Sequence, residues 1–117
     1  MNNGGPAAPG IGRESANLIV VCAPGSHAEQ HADACIREAE RMLGQILRQL
    51  DMAGDALQRP RKIVVRVGDT IPDPDAPGQS LDRGSASDPP AGVVSTAWRP
   101  DGPPEGLAEH LARVVLY

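Results

Sequence analysis

The sequence predicts an α/β fold, with α+β as the neighbouring class, and three observations carry that prediction. Residues 17–23 are a β-branched apolar run, residues 32–50 carry an amphipathic helical stripe, and residues 62–67 form a second β-branched run. A strand, a long helix and a strand make a β-α-β crossover, which sets the two strands parallel. A Pro-rich loop, one or two further strands and a C-terminal helix follow, so the expected sheet is mixed and has three or four strands.

Residues 1–15, with Gly4-Gly-Pro and Ala8-Pro-Gly, offer little to bury and read as a disordered leader before one α/β domain over 16–117. The run Leu18-Ile-Val-Val-Cys22 is apolar at every position and stops at Pro24-Gly25, the pattern of a strand buried on both faces. Ser26 and Glu29 then have the spacing of a capping box, in which the Ser hydroxyl accepts from a first-turn amide and the Glu reaches back to the cap. In the helix that follows, Ala32, Cys35, Ile36, Ala39, Met42, Leu43, Ile46, Leu47 and Leu50 recur at three- and four-residue steps. Arg37, Glu38, Glu40, Arg41 and Arg48 take the other faces, and Asp33 stands four residues before Arg37, a favourable surface pair.

Gly54, Asp55 and Arg59-Pro60 end the helix, and Gly68-Asp69 ends the second strand. Between Gly68 and Gly92 five prolines (72, 74, 77, 89 and 90) and five aspartates leave room only for a loop with a short edge strand around 79–85. Residues 92–98 are a third strand candidate. After a turn at 99–102, Pro103-Pro104 can open a helix on which Leu107, Leu111, Val114 and Val115 keep helical spacing.

Composition bounds the function. The chain of 117 residues has room for one domain. Its core must be aliphatic, because there is no Phe, one Trp and one Tyr, and 24 residues are Leu, Ile or Val. That share lies close to the roughly 20% below which chains tend to disorder, so the core is thin. Eleven basic against fifteen acidic residues, with no basic cluster and almost no stacking aromatics, argue against nucleic acid. The longest apolar run is too short to span a bilayer, and residues 1–12 lack a signal-peptide pattern, so the expectation is no membrane association and a cytoplasmic location. Cys22 and Cys35 can pair in principle, but without a secretory context they read as free thiols.

The order Val20-Val-Cys-Ala-Pro-Gly-Ser, long helix, Lys62-Ile-Val-Val-Arg-Val, Pro-rich loop, Gly84-Ser-Ala-Ser, Gly92-Val-Val-Ser-Thr-Ala-Trp and Glu105-Gly-Leu-Ala-Glu-His-Leu-Ala-Arg-Val-Val-Leu resembles the N-terminal lobe of peptidase-MA-like (gluzincin) zinc metallopeptidases. The resemblance covers 17–117 by layout more than by motif. It implies that the strand at 92–98 corresponds to the one lining the family's substrate cleft, and the next helix to the one carrying His-Glu-x-x-His. Two His at a four-residue step bind zinc there, and the Glu polarises water. Here the corresponding residues are Glu109 and Arg113, with His110 at the position of the catalytic Glu. Arg cannot ligate zinc. The resemblance therefore implies a catalytically dead copy; read without it, Glu109, His110 and Arg113 are solvated faces of a terminal helix.

A second constellation needs no family. Cys22, His27, His31 and Cys35 fall within fourteen residues, with the last three at four-residue steps down one helix column. Such ligands suit Zn²⁺, although no familiar zinc motif has this order and Cys35 also belongs to the apolar stripe. Asp69, Asp73 and Asp75 fit no calcium loop, and Pro24-Gly25-Ser26 lacks the glycines and lysine of a phosphate cradle. The apolar end Val115-Leu116-Tyr117 cannot all face one core stripe, so together with Trp98 it is the expected interface to a second copy or another protein. The resulting expectation is a non-catalytic, metallopeptidase-like interaction or adaptor module without a cofactor. Its alternative is a zinc-binding domain or zinc-dependent hydrolase using the Cys/His cluster.

Overall fold

The computed structural model describes residues 11–50, 62–102 and 104–117. The expected leader residues 1–10, the helix-ending Gly54, Asp55, Arg59 and Pro60, and Pro103 lie outside the described residues.

The fold is α/β. Its main sheet has five strands, β1 (Ile11–Glu14), β2 (Leu18–Cys22), β3 (Ile63–Gly68), β6 (Ser85–Asp88) and β7 (Val93–Ala97), in the order β1-β2-β3-β7-β6. The central three, β2, β3 and β7, run parallel, and each edge strand is antiparallel to its neighbour. A two-stranded hairpin, β4 (Ile71–Pro72) and β5 (Ser80–Leu81), fills part of the Pro-rich stretch. The helices are α1 (His27–Gln30), α2 (Ala32–Gln49) and α3 (Leu107–Val115).

The sheet has one strand more than the upper expected number, and the addition lies at the β1 edge. Residues 11–14, assigned to the leader, form β1. It has one large apolar residue and is held by its ladder to β2, by Arg13 to Asp33 at 2.7 Å and by Lys62 to Glu14 at 2.5 Å. Asp33 therefore pairs with Arg13, across from its helix, rather than along the helix with Arg37. The expected edge strand around 79–85 divides into β5 and, across Gly84, β6, which completes the sheet beyond β7.

Ser26 caps the first helix: its hydroxyl accepts from the Glu29 amide at 3.1 Å. Glu29 reaches past the cap and accepts from the Gly25 amide at 2.9 Å, one residue upstream of a regular capping box. The helix is interrupted at His31 (φ −129°, ψ 37°) and restarts at Ala32. On α2 the buried residues are Ala32, Cys35, Ala39, Leu43, Ile46 and Leu47, most of the stripe that periodicity predicts; Ile36 and Met42 are half-buried, and Leu50, just past the helix end, is exposed.

That stripe, with Leu107, Leu111 and Val114 of α3, packs against Leu18, Val20, Cys22, Ile63, Val65, Val67 and Val94 in one cluster. These strand residues alternate, so they mark a single sheet face, and both long helices lie on it. The expectation that β2 is buried on both faces is corrected here: Leu18, Val20 and Cys22 are buried, whereas Ile19 and Val21 are only half-buried. The reason is tertiary. A two-layer structure encloses one sheet face, and among the described residues no helix lies on the other.

Leu43 is fully buried at the centre of the α2 stripe. Leu43→Ala is expected to lower the unfolding free energy by about 2–5 kcal/mol in urea titrations, and Ile46→Ala, at the rim of the same stripe, by less.

Candidate functional site

Register places the residues of the second sheet face in two rows. One runs Glu14, Ile19, Val64, Val93, Asp88 and the other Gly12, Val21, Arg66, Ser95, Ala86. The first row is an aliphatic triplet flanked by acids. The second has a guanidinium at its centre.

Parallel strands β2, β3 and β7 all end on the same side of the molecule, where open α/β sheets commonly hold ligands. At this end β3 passes through Gly68 into the β4–β5 hairpin. A Cβ on Gly68 would stand 3.3 Å from that of Ala23 and 3.1 Å from the Thr70 carbonyl, so a side chain there would crowd the close turn. The turn brings Ile71 into burial, 3% exposed, and leaves a groove between hairpin and sheet. The groove holds about 450 Å³ and is walled by Val21, Pro24, Val64 and Ile71, with Arg66 and Ser95 among its polar members. Arg66 is exposed and has no ion-pair partner among the described residues, whereas Arg13, Arg41, Arg83 and Arg113 each face a carboxylate.

Beside the groove, on the helix side, polar groups are tied to one another. The His27 amide donates to Asp69 Oδ1 at 3.0 Å, and Arg99 donates to the Asp69 carbonyl at 3.1 Å. The Trp98 ring meets the His27 ring edge-on at a centroid distance of 4.9 Å, and His27 and His31 lie 4.5 Å apart. Half-buried against the core, Trp98 closes the end of the helix–sheet interface.

The proposed zinc ligands do not form a centre. Among the described residues no three His, Cys, Asp or Glu side chains are grouped to hold a metal. The interruption at His31 breaks the single helical column, and the two imidazoles turn to Trp98 while the two thiols are buried in the core. There burial raises both thiol pKa values. Cys35 is pushed up to about 12, with the Cys22 sulfur adding to the effect.

The residues at the metallopeptidase zinc positions serve each other. Arg113 donates to Glu109 at 2.6 Å on an exposed helix face. His110 turns toward the sheet, where its Nδ1 lies 2.8 Å from Ser87 Oγ of β6. Its pKa is lowered, first by burial and then by the Arg113 charge, with Glu109 opposing. Although Ser and His at this distance have the spacing of a nucleophile and base, the pair lies away from the groove, and among the described residues no carboxylate hydrogen-bonds the ring to orient it. With Ser85, Thr96 and the Glu105 carbonyl it forms the polar join between β6, β7 and α3.

The expected interface residues are separated. α3 starts beside Ser85, passes Ser87 at His110, and reaches the 3₁₀ turn Pro89–Ala91 that precedes β7. It therefore runs back along β7. Trp98 stands at the carboxyl end of that strand, and Leu116 and Tyr117, 66% and 75% exposed, stand at the other, with Val115 half-buried. What the sequence reading missed is Arg66 with its groove. Its one signal was a charge interrupting Ile63-Val-Val-Arg-Val67.

Comparison with known proteins finds no matching family model, curated protein or solved structure.

Two measurements check this geometry. Thiolates, not thiols, attack disulfide reagents, so Cys22 and Cys35 are expected to react with a chromogenic disulfide only after denaturation; rapid titration of either in native protein would contradict the burial. His110 is expected to titrate below its ordinary 6.5 in NMR. A depressed folded-state pKa means the unfolded chain binds the proton more readily. The stability linked to His110 is thus full above pH 6.5 and lost as pH falls through its folded value, and His110→Gln should flatten that limb of the pH–stability curve.

Proposed function

We propose that this chain is a non-catalytic protein-interaction module, a degenerate relative of the gluzincin N-terminal lobe, and that it receives its partner on the uncovered face of its sheet. One observation carries the reading: Ile19, Val64 and Val93 form an aliphatic row across three parallel strands, on the face opposite both long helices. Parallel sheets are almost always covered on both faces, and an apolar surface rimmed by polar residues commonly marks a docking site. Glu14 and Asp88 supply that rim. The non-catalytic part is supported by Glu109 and Arg113, which stand where zinc ligands would be and pair with each other.

The reading is tested with a photo-crosslinking residue placed at Val64 and expressed in the source organism. A discrete adduct is expected, lost when Ile19→Glu is added in the same chain and absent when the crosslinker sits at exposed Arg37 on α2. No adduct at Val64, or one indifferent to Ile19→Glu, would overturn it. Both variants should keep the wild-type melting temperature within a few degrees, because neither position belongs to the buried cluster.

A further inference from the structure

The geometry points to a small-molecule site in the groove under the β4–β5 hairpin, with a medium-chain aliphatic carboxylate as the chemical class of its ligand. This inference goes beyond the docking face and does not depend on it, since a free ligand would need no partner protein.

Size and lining come first. A volume of about 450 Å³ lies in the range of roughly 300–1,000 Å³ typical of small-molecule sites, and the walls are aliphatic: Val21, Val64, Ile71 and the ring of Pro24. No aromatic side chain lines it, which favours a flexible hydrocarbon over a planar ring. The hairpin gives the groove a roof that an exposed strand surface lacks, because Ile71 is buried there.

The polar members then set the headgroup. Arg66 is the only cationic side chain in the lining among the described residues, and Ser95, its register neighbour on β7, and Thr70 add hydroxyls. A guanidinium without a partner presents a planar fork that matches a carboxylate in two parallel hydrogen bonds. A monoanion fits this surroundings better than a phosphate. Asp69 follows Gly68 at the groove's end, Asp88 and Glu14 flank the neighbouring row, and the chain has a net charge of −4, so a second negative charge would meet repulsion with one Arg to offset it. From Arg66 the hydrocarbon would run along Val64 and Val21, which adjoin it along the strand and across the ladder.

The purified chain is titrated with sodium octanoate, octylamine and octanol, followed by calorimetry and by methyl NMR shifts. Saturable 1:1 binding of octanoate at low millimolar or tighter is expected, with shifts at Val21, Val64 and Ile71 and with octylamine at least about ten-fold weaker. Arg66→Glu should reverse that order, so that octylamine binds and octanoate does not. Arg66 is exposed, so the variant should retain the fold, which circular dichroism melting checks. Val21→Trp, which fills the groove, should abolish binding of both. No saturable octanoate binding by folded wild type, equal binding of octanoate and octylamine, or octanoate binding unchanged in Arg66→Glu would each overturn the proposal. Because no partner is present in these titrations, any of those results leaves the crosslinking outcome at Val64 standing on its own.

Discussion

The side-chain stripe from Ala32 to Leu47 lies across alternate residues of β2 and β3, and this contact sets the arrangement of the rest of the molecule. It joins the two strands through a crossover, which makes them parallel, and it assigns Leu18, Val20, Ile63 and Val65 to the helical side. α3 then returns along β7 on that same side, adding Leu107, Leu111 and Val114. Because strand side chains alternate, every residue assigned to the helices sends its neighbour to the opposite face. β2 and β3 have aliphatic neighbours there. The half-buried apolar row opposite the helices is thus a consequence of the same packing that forms the core.

This division explains what could be read from the sequence. Periodicity identified α2, the three parallel strands and α3, because each buries enough apolar surface for its pattern to appear in composition. It could not assign faces. In Leu18-Ile-Val-Val-Cys22 every position is apolar, so the run carries no alternation from which a covered and an uncovered side can be told apart. The edge strands were less legible for a different reason: β1 fell in the expected leader, and the edge strand expected around 79–85 meets β6 only at Ser85. Ile11-Gly-Arg-Glu14 and Ser85-Ala-Ser-Asp88 are held by ladder hydrogen bonds to their neighbouring strands and by polar side-chain contacts, some of which reach partners twenty or more residues away, such as Asp33 for Arg13 and His110 for Ser87. The Cys/His cluster failed by the same logic. Four-residue spacing makes a column only along an uninterrupted helix, and the change of direction at His31, together with the ring of Trp98, separates the imidazoles from the buried thiols.

Electrostatics divides the two faces as well. On the helix side and at the edges several charges are matched locally, Arg13 with Asp33, Lys62 with Glu14, Arg83 with Asp101 and Arg113 with Glu109, while Arg37 and Arg48 on α2 have no ion-pair partner among the described residues. Such exposed pairs add little stability individually. Arg66 differs from them in having aliphatic and hydroxyl neighbours. A charge in that position contributes nothing to the sheet that an uncharged β-branched residue would not supply better.

The polar groups at the carboxyl end of the sheet hold its turns in place. Ser26 Oγ accepts from Glu29 and donates to the Ala23 carbonyl, Asp69 accepts from the His27 amide, and Arg99 secures the Asp69 carbonyl. Each of these groups fixes a turn from strand to helix or from strand to hairpin. Proton transfer requires a base within reach of a reacting atom in a site that a substrate can enter. His110, whose ring nitrogen meets Ser87, lies instead in the join between β6 and α3, while the groove holds one guanidinium, hydroxyls and hydrocarbon. A guanidinium does not give up its proton near neutral pH, and hydroxyls without an adjacent base remain weak nucleophiles. The chemistry gathered there is suited to recognising charge and aliphatic surface, and the bonded turns around it hold that surface in place.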